Sequence, residues 1–298
     1  MTVAGDSLQG LAHAFMHINS GVADVVAIEA HSKASDILTY SDIVKLSMDP
    51  VYVRSINPQN LHFIAGLDAV KFMERKKVSR EDLAMVVEKN KVAGLSSPRA
   101  PYASKISYQD VIDKDYVVYP LSELDIAPLV DGAIVIVVST EEVAKKLKKD
   151  DYVLVKGIAY ATDSANLETS ELGKANYMRI ASDLAYKMAN VTSPRRYFDA
   201  VFVDDRYSYK ELQHLEGLKI SDDPSKDLNE GNFSPQGEIP VNPLGGHLAK
   251  GVPLEASGFS LLLDAIDYIK QGKIERALVG SWRGVPTFTG SVVVVEKP

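Results

Sequence analysis

The chain has 298 residues, 46% of them hydrophobic and 24% charged, with a formal charge of −7. That is enough for one large domain or two modest ones, without the clustered cations that nucleic acid or an anionic membrane surface requires. The absence of cysteine removes disulfides, cysteine-bound zinc and a thiolate nucleophile together, and with no apolar run near the ~18 residues of a membrane span and no signal-peptide pattern at the start, a cytoplasmic protein is expected.

In chain order, DSLQGLAHAFMHINSG repeats apolar residues at Leu8, Leu11, Ala12, Phe15 and Ile18, one helical face with Asp6 or Ser7 as its cap and Gly21 as its stop. His13 and His17 stand one turn apart on that helix. No HExxH pattern surrounds them and few other ligands are near, so no metal is expected. VADVVAIEAHS then reads as a strand covered on both faces, and helix followed by buried strand suggests a parallel α/β layer. From Asp49 to about Lys114 the texture becomes mixed. LHFIAGLDAVKFMERKK and SREDLAMVVEKNKVAG are amphipathic, and Ser79 with Asp82 approaches a capping box. This stretch reads as a helical insertion between strands.

DGAIVIVVS (131–139) returns to a buried strand, and STEEVAKKLKK supplies a helix capped by Ser139 or Thr140, with KKLKKD as its solvated end. The remainder alternates. YVLVKGIAYAT is a strand, LGKANYMRIASDLAYKMANV a helix, FDAVFVDD a strand and SYKELQHLEGL a helix. GFSLLLDAIDYIKQGK is a helix ended by Gly272, and ERALVGSW with TGSVVVVEK a final strand pair. SDDPSKDLNEGNFSPQGEIP reads as a polar loop. Alternating helices and covered strands define an α/β layered fold.

Four segments in this order resemble the thiolase superfamily, in its sterol-carrier-type and archaeal acetyl-CoA acetyltransferase-like branch. They are VADVVAIEAHSKAS, the run from MERKKVSREDLAMVV through YPLSELDIAPLVDGAIVIVVSTEEVA, VFVDDRYSYKELQHLEGL, and VNPLGGHLAKGVPLEASG. The resemblance implies two similar halves joined by a helical loop domain, usually in a dimer, and acyl transfer to or from CoA in lipid metabolism. It divides the chain into a partial amino-terminal half at 1–150, including a loop domain at about 49–127, and a complete carboxy-terminal half at 151–298. About the first quarter of the family's length is expected to be missing before Thr2.

The same resemblance places the family's reactive groups. The nucleophilic cysteine falls on Ala4, the histidine of His-Asp-x-Phe on Asp204, the histidine of Gly-His-Pro on Val252, and the second cysteine between Ser281 and Gly284. Each position lacks the expected group, and losing a nucleophile costs orders of magnitude in rate. Gly245, Gly246, Gly251 and Gly258 permit tight turns and close approach, either as scaffold or against a bound CoA. Arg283 beside Trp282 binds a phosphate, stacks on adenine or anchors a turn.

Two readings stay open. One is a non-catalytic or partner-dependent subunit of an acyl-CoA-handling complex, as a homo-oligomer or joined to a thiolase or a zinc-ribbon/OB-fold protein. The other is an active enzyme on CoA thioesters, an acyltransferase or retro-aldolase. In that case Asp204 or Asp205 acts as base and Tyr207 as proton donor, Ser7 or a swinging His247 assists, or a partner lends residues. Alternation along a strand points Asp204 and Asp205 to opposite faces, which argues against a shared-proton dyad. The structural alternative is an aspartate capping the next helix and an Asp–Arg pair, with His247 solvated in its loop.

Overall fold

The computed structural model describes residues 1–37, 41–42, 44, 62–149, 151–164, 169–284 and 288–298. The chain opens with α1 (Ser7–Asn19) and β1 (Val25–Ser32), followed by α2 (Phe63–Lys76), α3 (Arg80–Ala93), α4 (Tyr108–Ile112) and the small pair β2 (Tyr116–Val118) and β3 (Leu121–Ser122). Next come β4 (Gly132–Ser139), α5 (Glu141–Lys146), β5 (Leu154–Thr162), α6 (Asn176–Ala189), α7 (Pro194–Tyr197), β6 (Ala200–Val203), α8 (Ser208–Gly217) and α9 (Pro224–Asn229). The last elements are α10 (Gly246–Lys250), α11 (Ser257–Lys270), β7 (Arg276–Arg283) and β8 (Thr289–Glu296). The part of the expected helical insertion at 49–61 lies outside the described residues.

Local chemistry accounts for the ends of these elements. Leu8 N donates to Asp6 Oδ2 at 2.9 Å, so Asp6 caps α1. Ser79 and Asp82 form a complete capping box on α3, and Thr140 caps α5. The run SDDPSKDLN is not loop throughout: Asp223 accepts from Lys226 N and Pro224 opens α9, the position where proline's missing N–H costs nothing.

The layers follow from what each element covers. β5, β8, β7 and β6 form a four-stranded sheet in that order, and β1 pairs with β4 in a second. α1 and α11 lie between the two sheets, contacting β1, β4 and the larger sheet. Their apolar faces make one core cluster around Leu8, Leu11, Phe259 and Leu262. α6 covers the other face of the large sheet against β5 and β8. That second cluster continues through α8 into α2 and α3, so the helices between β1 and β4 share the core of the carboxy-terminal strands. Among the described residues no helix is long and apolar enough to cross a membrane.

Two further expectations require correction. The layer is not parallel: among the described strands only β6 and β7 pair in parallel, while β1–β4, β5–β8 and β7–β8 are antiparallel. Apolar content reports burial, and direction is set by the connections. β1 and β4 are also not covered on both faces. Their inner residues meet α1 and α11, whereas Val135 and Val137 on the outer face are 60% and 63% exposed.

One buried ion pair joins the inserted helices to this frame. Lys210 Nζ on α8 lies 2.7 Å from Asp68 Oδ2 on α2, with both side chains essentially without exposure. Asp68 also accepts from Gly173 N (2.6 Å) and Tyr209 Oη (2.8 Å), and Lys210 donates to Tyr177 Oη and Gln213 Oε1. Removing one charge from such a pair strands the other in the core. Asp68→Asn is therefore expected to cost about 3–5 kcal/mol in urea unfolding; a loss below about 1 kcal/mol would show that Lys210 finds other support.

Candidate functional site

The loop after β6 delivers the first cluster. The strand ends at Val203, so Asp204 and Asp205 lie beyond it and the alternation rule does not govern them. Both are fully buried and both approach His247: its Nδ1 is 3.5 Å from Asp204 Oδ1 and 3.9 Å from Asp205 Oδ1. His247, read from sequence as solvated or swinging, has no exposed surface at all.

The two carboxylates are held differently. Asp204 Oδ1 accepts from Arg206 N at 2.9 Å. Burial disfavours its charge, but His247 and Arg206 outweigh that and hold its carboxyl below the usual range. Asp205 accepts from His247 N (2.5 Å), Leu248 N (3.2 Å) and Asn90 Nδ2 (2.7 Å). Burial, with Glu211 nearby, pushes it up to about 6 against the opposing His247 contacts. Asp205 thus occupies the amino-terminal turn of α10. A Cβ on Gly246, which has φ +56°, would run into its carboxylate.

The second cluster joins the starts of α1 and α11. Asp6 Oδ1 accepts from Gly258 N at 2.9 Å, and Ser7 Oγ accepts from Phe259 N at 2.8 Å. Burial raises Asp6 to about 6 despite its two backbone donors. Gly258 lies within α11, where a Cβ would strike Asp6. Gly245 is pressed against Ala249 and α3, and Gly251 against Val130. Each of the four glycines is therefore placed at a close approach within the chain.

The positions aligned with the family's reactive groups carry Ala4, Asp204, Val252 and the 281–284 segment, and of these Asp204 and Ser281 both lie close enough to Asp6 to act on its carboxyl. Ala4 is exposed ahead of α1. Val252 is buried and bonded through its backbone to the 128–130 segment, donating to Pro128 O (2.8 Å) and accepting from Val130 N (3.1 Å). Ser281 is buried on β7, beside the Asp6 carboxyl. Arg283 faces solvent and pairs with Glu255 at 3.5 Å.

A cavity of about 430 Å³ lies beside these clusters, between the segment 117–129 and the carboxy-terminal loops. Its apolar wall includes Val117, Leu124, Ile126 and Pro128, and its polar wall His62, Lys91, Glu123, Arg206 and Tyr207, with Trp282 alongside. His62 Nδ1 and Tyr207 Oη are 2.9 Å apart. Burial lowers the pKa of His62, which favours neutral imidazole beside the phenol. Lys91, also lowered chiefly by burial, donates to Tyr102 O and Leu248 O. Sequence reasoning named Tyr207 and Trp282 but missed His62 and Lys91, which lie more than a hundred residues from Tyr207; only their amphipathic helical context was visible.

The family model described as "Thiolase C-terminal domain-like" matches residues 159–293. An acetyl-CoA acetyltransferase from Methanothermobacter thermautotrophicus is 26% identical over 288 residues, covering 94% of this chain and 74% of the relative. Among solved structures, the Ltp2-ChsH2(DUF35) aldolase superposes with a TM-score of 0.80 at 21% identity, over 98% of this chain and 78% of that one. A monomeric SCP2-thiolase-like protein type 1 from Mycobacterium smegmatis gives 0.73 at 18% identity, over all of this chain and 62% of its own. At these identities the two structures speak to fold alone.

Two stability tests follow from the Asp205 nest. Gly246→Ala places a methyl group against the carboxylate at positive φ and is expected to cost about 1–3 kcal/mol, read from denaturant midpoints; an unchanged midpoint would contradict the geometry. Asp205 is held at about 6 against an ordinary 3.8, so the folded chain binds this proton more tightly. Its contribution is complete below about pH 4 and is lost as pH rises through about 6. Asp205→Asn should therefore gain on the wild type between about pH 4.5 and 7.5 in thermal melts, and a constant difference across that range would contradict the assignment.

Proposed function

The chain is a thiolase-superfamily protein, and on that premise we propose that it holds a CoA thioester without forming an acyl-enzyme, as a partner-dependent subunit of an acyl-CoA-handling complex. The observation that carries this reading is the state of the family's reactive positions. Ala4 and Val252 have no nucleophile or base to offer, and Asp204 is fixed by Arg206 N and His247. The 430 Å³ cavity beside them remains open and mostly apolar, suited to an acyl-pantetheine arm.

A partner role draws support from two sides. The outer face of the β1–β4 sheet leaves Val135 and Val137 exposed with Val25 on the neighbouring strand, and contiguous exposed apolar surface marks interaction sites. The fold neighbour with the higher overlap is the Ltp2-ChsH2(DUF35) aldolase, whose name joins two proteins. The division into an amino-terminal part at 1–150 and a carboxy-terminal half at 151–298 belongs to the same proposal.

A second reading rests on the Tyr207–His62 pair at 2.9 Å on the cavity wall. Retro-aldol cleavage of a β-hydroxyacyl thioester needs no nucleophile. A base takes the hydroxyl proton, the adjacent carbon–carbon bond breaks as the carbonyl forms, and the released electron pair enters the thioester enolate, which is then protonated. A phenol beside neutral imidazole supplies a proton relay for those steps.

Calorimetry with acetyl-CoA and a longer acyl-CoA, on the chain alone and co-expressed with its genomic neighbours, is expected to show saturable binding, with no covalent acyl adduct by mass spectrometry. An acyl adduct, or no binding in either setting, overturns the proposal. Tyr207→Phe separates the readings: lost cleavage with retained binding supports the aldolase, and turnover undiminished by the substitution rules out this relay.

A further inference from the structure

The cavity wall also indicates what its ligand carries. Arg206 lines it beside Trp282, with its guanidinium carbon 5.5 Å from the Trp282 ring centroid. Its side chain is only 13% exposed, yet the nearest carboxylate oxygen, Asp204 Oδ2, is 4.0 Å away. Among the described residues the guanidinium donates no hydrogen bond, and Nε is buried without an acceptor. Trp282 Nε1 is buried and equally without an acceptor.

Buried donors are rarely left in this state. A guanidinium offers five N–H groups in a planar fork that matches a carboxylate in two-point contact. The other cation on the wall does not compete, because the Lys91 ammonium is already taken by the carbonyls of Tyr102 and Leu248. The rest of the wall is mostly apolar, from Val117 through Leu124, Ile126 and Pro128, and its polar groups besides Arg206 and Lys91 include His62, Tyr207 and the partly solvent-facing Glu123. A single anchored anion within an otherwise apolar ligand fits this wall, whereas a diphosphate would call for several cations.

We infer that the cavity takes the CoA thioester of a dicarboxylic acid, whose distal carboxylate is received by Arg206 with a further hydrogen bond from Trp282 Nε1. The inference rests on the CoA-thioester reading above and adds the class of acyl group. Arg206 and Trp282 are thereby specificity-determining residues for that site.

The test is calorimetric titration of the full chain with succinyl-CoA, butyryl-CoA and free CoA, the first two sharing chain length and differing in the terminal carboxylate. The wild type is expected to prefer succinyl-CoA over butyryl-CoA by about 10-fold or more, the range of a charge-assisted hydrogen bond. Arg206→Gln should collapse that preference, chiefly by weakening succinyl-CoA. Trp282→Phe, which keeps the ring and removes the donor, should reduce it in part, and serves if Arg206→Gln fails to fold. Equal binding of the two thioesters overturns the inference while leaving the CoA-thioester reading intact. A uniform loss across all three ligands in Arg206→Gln also overturns it, by assigning the guanidinium to a CoA phosphate. Absence of binding by any of the three overturns the underlying reading and this inference with it.

Discussion

The buried Lys210–Asp68 pair is the constraint on which the geometry of the molecule turns. It ties α2, from the segment between β1 and β4, to α8, which follows β6 in the large sheet. Lys210 Nζ also lies 4.4 Å from the Trp282 ring centroid, and Trp282 in turn lines the cavity. One ammonium therefore fixes both the inserted helix and the aromatic wall. Burial lowers its pKa and Asp68 opposes that shift, the balance expected when a charge is kept inside only by its partner. The 117–129 segment is then pinned to the carboxy-terminal loops by Ala127 N donating to Arg206 O, by the Val252 backbone bonds to Pro128 and Val130, and by Ser208 Oγ donating to Asp125, so the pair and these bonds together define the space between them.

The other buried acids follow the same logic on a smaller scale. Asp6 ties the start of α1 to the start of α11, and Asp205 fills the amino-terminal turn of α10. In each case a carboxylate satisfies backbone donors that a helix start cannot satisfy alone, and a glycine makes room for it. Near the family's reactive positions Asp6 and Asp205 are thus bound to the protein's own backbone, while Asp204 accepts a backbone bond at Oδ1 and keeps a buried Oδ2 without a hydrogen-bond partner. Further open chemistry lies to one side, at Tyr207, His62, Arg206 and Trp282.

Much of the fold was legible because its signals are local. The spacing of Leu8, Leu11 and Ala12, the capping pair Ser79 and Asp82, and the β-branched run at 292–295 each specify an element from neighbouring residues. Strand direction was not legible, since Val-rich runs look alike in parallel and antiparallel ladders, and neither was the exposed outer face of β4. The site was only partly legible. Asp204, Asp205 and Tyr207 announced themselves at a strand end, but their roles depend on His247, Asn90 and His62, brought in across 42, 115 and 145 residues respectively. Nothing in a linear pattern encodes such encounters. The burial of His247 was similarly hidden, because a histidine in a glycine-rich loop carries no mark of the helix start it packs against.

The chain has a single tryptophan, and it stands on the cavity wall beside Arg206. Its fluorescence, titrated with a CoA thioester, therefore reads the central claim directly: that the space between the 117–129 segment and the carboxy-terminal loops is the binding site. The account predicts a saturable change in intensity or wavelength that follows the calorimetric isotherm. Calorimetric binding with no change in Trp282 emission would place the ligand elsewhere and contradict it.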